Sequence, residues 1–154
     1  MSKYKNTLQG ITNTASVAVK VGIFSILLRE YLFDVAIPSG PSMFPTLNTS
    51  GDAILIQKKR ARCSRPFELN DVITAISPIE PKKIICKRIS AKEGELAVTI
   101  GHEHMIIPKG HVWLLGDNPE ESIDSRHYGP VPIGLIQGKA ICKILPLSNI
   151  FAAL

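Results

Sequence analysis

The sequence predicts a mainly β domain, built as an antiparallel barrel or sheet, joined to one apolar N-terminal helix. Three observations carry this expectation. From residue 53 onward, short apolar runs of five to eight residues follow one another, separated by turn signals such as Gly51-Asp52 and Gly94. None of them alternates with a long helical pattern, which disfavours a parallel α/β sheet. Ahead of them lies one long apolar run, residues 15–33, "ASVAVKVGIFSILLREYLF".

At 1.5 Å per residue these 19 residues reach roughly 28 Å, about one hydrocarbon core. Lys20, Arg29 and Glu30 interrupt the run. Thr12, Ser16 and Lys20 recur every fourth residue and make one polar stripe. Two readings fit: an amphipathic helix packed on the domain, or a single membrane anchor whose Lys20 snorkels or whose polar stripe meets a partner helix. The anchor is the expectation taken forward, with an N-terminal segment over 1–34 and a β-rich catalytic domain over 35–154. Upstream, no Asp or Glu precedes Glu30, while Lys3, Lys5 and several hydroxyl residues do. Such a start has the composition of a mitochondrial targeting segment.

The strands expected next are "AILIQK" (53–58), "VITAIS" (72–77), "KIICKRIS" (83–90), "LAVTI" (96–100), "HMIIP" (104–108), "HVWLL" (111–115) and "KAICKIL" (139–145). Between the first two, "KKRARCSR" (58–65) carries five basic residues in eight. It reads as a solvated loop, with anionic headgroups as the alternative partner.

Composition narrows the function. Apolar residues make up 45% of the 154 and charged residues 20%, so the chain folds around a core. Cys63, Cys86 and Cys142 are odd in number and widely spaced, which fits neither a disulfide framework nor a zinc site. The net charge is +5. Without interleaved aromatic and basic residues this does not read as a nucleic-acid interface.

Chemistry could sit at four places. "PSGPSMFPTL" (38–47) holds Ser42 in a stiff, proline-rich turn threaded with Met43, Phe44 and Leu47. A serine there becomes a nucleophile only with an adjacent base. Lys87 is one such base. On a strand, Ile85, Lys87 and Ile89 share a face. Burial in that apolar row would disfavour the ammonium and leave a neutral amine. Lys143, between Ile141 and Leu145, alternates in the same way, so pattern alone leaves the two lysines tied. "GDNPEESIDSRHYGPVP" (116–132) is a polar loop in which Asp124 and Arg126 are close enough to pair. His102, His104 and His127 lack the spacing of a metal site. A Ser42–His127–Asp124 triad stays open on composition.

Taken together and in this order, "SGPSMFPTL", "KRI" at 87–89 and the 116–132 box resemble the type I signal peptidase family. Within it the form "SGPSM-x-PT" is similar to the mitochondrial inner membrane branch, of the subunit 1 type. The resemblance spans residues 15–132, and the third box is its most specific part.

It implies a signal-peptidase-like β domain with Ser42 as nucleophile and Lys87 as general base. Ser122 would orient the lysine, and Asp124 and Arg126 would be a structural pair. Asp117 and Asn118, after Gly116, would open the box. The backbone N–H of Ser42 would serve the oxyanion, and Ile37 and Met43 would line the substrate groove. No metal or cofactor is implied.

The implied partners are precursor proteins with cleavable sorting signals, inner membrane lipid and a related second peptidase subunit. The implied location is the mitochondrial inner membrane, with the catalytic domain facing the intermembrane space. Two departures stand out. Gly40 occupies a position where some bacterial members carry a serine donor, with Ser39 displaced by one. "SAKEGE" replaces the usual Gly-x-Pro-Gly-Asp and keeps only Gly94. Three other readings compete: a bacterial type I signal peptidase, a self-cleaving repressor-type Ser-Lys protease, and an inactive β domain that only binds signal segments or a partner.

Overall fold

A computed structural model describes residues 16–27, 30–58 and 67–146. Thr12 of the polar stripe, residues 28–29 of the apolar run and residues 59–65 of the basic run lie outside them. Among the described residues, 16–27 (α1) and 30–31 are helical, and a turn at Leu32 precedes strand β1 (Phe33–Ala36). Phe33 therefore belongs to the sheet and not to the helix. Its strand pairs with β2 (Ala53–Lys58), and Lys58 N–H donates to the Leu32 carbonyl at the end of that ladder. The expected boundary at 34/35 falls inside β1.

Every described residue of α1 is exposed, Val17, Val19, Ile23, Phe24 and Ile26 among them. The helix is thus not packed on the domain as an amphipathic helix would be. The described stretch 16–27 rises about 18 Å. No helix among the described residues is long and apolar enough to cross a membrane.

The remaining strands are β3 (Val72–Ile76), β4 (Ile84–Lys92), β5 (Leu96–Val98), β6 (His104–Ile106), β7 (His111–Leu115), β8 (Val131–Pro132) and β9 (Ile136–Leu145). All seven expected runs are strands, at slightly shifted bounds. Seven strands form one sheet in the order β1-β2-β9-β3-β4-β7-β8, and every pairing is antiparallel. β5 and β6 form a separate ribbon.

The barrel expected from the sequence is a curled half-barrel. Its edge strands β1 and β8 do not pair with each other among the described residues. Register shifts in β2/β9, β3/β9 and β4/β7 supply the bend, because an extra residue kinks one strand against its partner.

Burial follows the strand period of two. Ile73, Ala75, Ile89, Val112, Leu114, Val131 and Ile136 close one core cluster. Met43, Leu47, Ile54, Ile56, Val72 and Ala140 close a second. The central strand β3 feeds both, with Val72 on one side and Ile73 and Ala75 on the other, so it reads as a continuous apolar run.

Gly138 lies where β9 passes β2 and β3. A Cβ there would overlap the Gln57 carbonyl and the Ile56 side chain. Backbone cannot swing aside as a side-chain end does. Gly138→Ala is therefore expected to destabilise the domain by about 1–3 kcal/mol. Gly134→Ala, which meets nothing within 4 Å, is expected to be near neutral; thermal unfolding of the two variants checks the contrast.

Candidate active site

Three segments converge on one groove of about 1270 Å³ between β1 and β4. Ser42, Met43, Ile37 and Lys87 all line it. His127 is not among its lining residues.

The Ser42 turn is built locally. Gly40 has φ 107° and ψ 160°, backbone that essentially only glycine adopts. Pro41 then opens a 3-10 turn, Pro41–Met43, at the position where a missing N–H costs nothing. Met43 and Leu47 are buried in the second core cluster and hold the turn down. Gly40 N–H donates to the Thr49 carbonyl at 2.9 Å, and Leu47 N–H to the Met43 carbonyl at 2.8 Å. Ser42 itself is half-buried, with Ile37 at 74% exposure on the rim. The apolar residues that looked out of place among prolines are the anchor of the turn.

Lys87 comes from the middle of β4, paired with Ile73 and on the face of Ile89. It is 4% exposed. Its Nζ donates to Ser122 Oγ at 2.9 Å, and Ser122 Oγ donates to Asp124 Oδ2 at 2.6 Å. A hydroxyl has one proton. Because Asp124 takes it, Ser122 meets Lys87 with a lone pair, and the lone pair of a neutral Lys87 amine is not spent there. Burial is the main influence on Lys87 and lowers its pKa, against a smaller pull from Asp124.

Lys143 has a different partner. Ile141 and Leu145, two positions away, are 39% and 45% exposed, whereas Lys143 and the Ile54 opposite it are buried. Its Nζ lies 3.1 Å from Asp52 Oδ2. Of the two buried lysines, one meets a carboxylate and the other a hydroxyl.

Asp124 is fully buried and gathers the box around itself. Besides Ser122, it accepts from the Gly116 N–H at 3.0 Å and from the Arg126 Nε and Nη2 at 2.9 and 2.8 Å. It also caps the short helix α2 (Ser125–Tyr128), where His127 closes a capping box with it. His127 Nδ1 accepts from the Asp124 N–H at 3.3 Å, so this histidine serves the helix start. Burial acts to raise the Asp124 pKa; the bonds from Arg126, Ser122 and the Gly116 amide outweigh it and hold the carboxyl at about 2.

Two contacts tie the box to the serine turn. Asn118 N–H donates to the Ser42 carbonyl at 3.1 Å. Gly116 lies so close that a Cβ would collide with Ser122 Oγ and the Ser42 carbonyl.

A further residue was not singled out from the sequence. Arg88 is the neighbour of Lys87 on the opposite strand face. It grips Asp117 through Nε at 2.8 Å and Nη2 at 2.7 Å, reaches Thr46 Oγ1 at 3.3 Å, and donates to the Asn70 carbonyl at 2.7 Å. It thus joins β4, the serine turn and the box. Its signal in the sequence was an arginine in an apolar strand with an unmatched aspartate, Asp117, in the box.

Residues 95–145 match the family described as signal peptidase, peptidase S26. Similarity to whole proteins extends much further. The chain is 40% identical over 150 residues to mitochondrial inner membrane protease subunit 1 of Schizosaccharomyces pombe, covering 93% of this chain and 96% of that protein. It is 40% identical over 136 residues to the protein of the same name from Homo sapiens, covering 85% and 81%. Mitochondrial inner membrane protease subunit 2 of Mus musculus is 37% identical over 118 residues, covering 73% and 67%. Identity of this extent leaves one conclusion: the chain belongs to the signal peptidase S26 family, with the mitochondrial inner membrane protease subunits.

Proposed function

We propose that this chain is a serine endopeptidase that removes sorting signals from proteins delivered to the mitochondrial intermembrane space. Ser42 is its nucleophile and Lys87 its general base. The observation that carries this reading is the hydrogen-bond chain from Asp124 through Ser122 to a buried lysine that lines the same groove as Ser42. The relatives' names support the location and a second, related subunit. Residues 1–34 would supply the membrane anchor and 35–154 the catalytic domain, facing the intermembrane space.

The reaction follows from the groups present. The neutral Lys87 amine takes the Ser42 proton as Oγ attacks the scissile carbonyl. The Ser42 backbone N–H receives the oxyanion, a donor worth roughly 10²–10³ in rate. The tetrahedral intermediate collapses to an acyl-enzyme, and the Lys87 ammonium returns its proton to the leaving amine. Water then attacks the ester, Lys87 takes the water proton, and collapse releases the acid while Ser42 regains its proton. Ser122 keeps the amine aimed, and Asp124 fixes Ser122. The substrate is expected as an extended segment with small residues near the cut, Ile37 on the rim and Met43 in the floor.

Ser42→Ala and Lys87→Met are each expected to lower turnover of a signal-segment peptide in detergent by at least about 10⁴-fold. His127→Ala should keep it within about threefold, since loss of a cap costs about 1 kcal/mol of stability and touches no reacting group. Substantial turnover by Lys87→Met would remove the dyad. Loss in the two dyad variants also separates an enzyme from a domain that only binds signal segments.

The base form of Lys87 is neutral, so kcat/KM is expected to fall as pH drops through a pKa lowered from 10.5 by burial. An acid limb governed by a group at 10.5 or above would contradict a buried neutral base.

Gly40→Ser restores the residue found in some bacterial relatives, yet the backbone at φ 107° resists any side chain. It is expected to slow cleavage and to cost about 1–3 kcal/mol of stability. A faster enzyme would show that position 40 accepts an added oxyanion donor.

A further inference from the structure

The proposed reaction uses one of the two lysines buried among the described residues. We propose that the other, Lys143, is a positioning residue: through its ion pair with Asp52 it holds the far end of the turn that carries Ser42. This inference rests on Ser42 being the nucleophile.

The serine turn is held at both ends. Gly40 is tied to Thr49 at the start, and the box amide of Asn118 grips Ser42 itself. At the far end, Asn48 follows the buried plug residue Leu47. Two donors of Asn48 end on Asp52: its backbone N–H donates to Oδ2 at 2.9 Å and its Nδ2 to Oδ1 at 2.8 Å. Asp52 is fully buried, and Lys143 Nζ stands 3.1 Å from Oδ2. Burial opposes ionisation of Asp52, and the bonds from Asn48 and Lys143 outweigh it, keeping the carboxyl below its usual range.

Lys143 lies opposite the fully buried Ile54 of β2, so its ammonium is buried and meets the Asp52 carboxylate there. The pair also sits where the β2/β9 ladder is irregular, with register shifts after Ala53 and after Leu55. A ladder so interrupted fixes the start of β2 weakly by itself.

The consequence is mechanical. Without Lys143, Asp52 would be a buried charge with no counter-ion, held by the Asn48 donors alone. It would be relieved by moving Asp52, the one buried residue of the segment 48–52, out to water. Leu47 would shift with Asn48, and the Pro41–Met43 turn rests on Leu47 and Met43 in one core cluster. A displacement of about 1 Å at a reacting group costs on the order of 10²-fold in rate.

The test compares full-length Lys143→Met, Asp52→Asn, Lys143→Arg and Ser42→Ala in detergent, reading cleavage kinetics and amide hydrogen exchange. Lys143→Met is expected to lower kcat about 10–100-fold with KM within about twofold. Lys143→Arg, which keeps the charge, should recover to within about threefold of wild type. Amide exchange should accelerate at residues 44, 47 and 48 while β7 keeps its protection.

A kcat within twofold of wild type for Lys143→Met overturns the proposal. So does a loss of kcat accompanied by equal loss of protection across β3, β4 and β7, which would mark general destabilisation. If Lys143→Met does not fold, Asp52→Asn, which keeps an acceptor for the Asn48 amide, carries the same two readouts. Turnover by Ser42→Ala would overturn the nucleophile instead, and exchange at 44, 47 and 48 would still report whether the pair holds the turn.

Discussion

A single buried carboxylate organises this site. Asp124 has no solvent contact and would be costly as an isolated charge. Arg126 answers it with a two-pronged grip, the Gly116 amide adds a third donor, and Ser122 a fourth. At Lys87 burial is the largest influence, and Arg126 works against the pull of Asp124. Burial therefore prevails at Lys87 and favours the neutral amine. The same carboxylate caps α2, so the short helix, the 116–132 loop and the lysine all depend on one group.

The two buried lysines show how a partner sets the use of a residue. Both sit on interior strands and both are nearly inaccessible. Lys143 faces a carboxylate and forms a structural ion pair. Lys87 faces a hydroxyl that is already committed as a donor. The distinction needs no difference in strand pattern. It comes from which loop each strand meets: the 48–52 segment for β9, and the 116–132 box for β4.

Close backbone approach is the second theme. Gly116 is needed because Ser122 and the Ser42 carbonyl leave no room for a Cβ. Gly40 is needed because of its backbone angles. The departure from the bacterial pattern at Gly40 thus has a physical correlate in this chain. Outside the site, apolar side chains stay exposed along α1 and on the groove rim at Val35, Ile37 and Ile84. Such surface fits a domain that works against lipid or an apolar substrate segment, in keeping with the proposed setting.

By itself the sequence determined the strand content, most strand positions and the three segments that meet at the groove. Strand burial is written in a period of two, and turns are written in glycine and proline, so both are local properties. It also placed Lys87 in an apolar row and Asp124 beside Arg126, because those relations span few residues. It did not show that β1 begins at Phe33, that the sheet stays open, or that α1 leaves the domain unpacked, since each depends on partners distant along the chain. Nor did it rank Lys87 above Lys143 without the family resemblance. Only the tertiary structure decided which partner each lysine has, by bringing Ser122 to one amine and Asp52 to the other across 35 and 91 residues of chain. The charge state of a buried amine is set by what folds against it, and that is a property of contacts rather than of spacing.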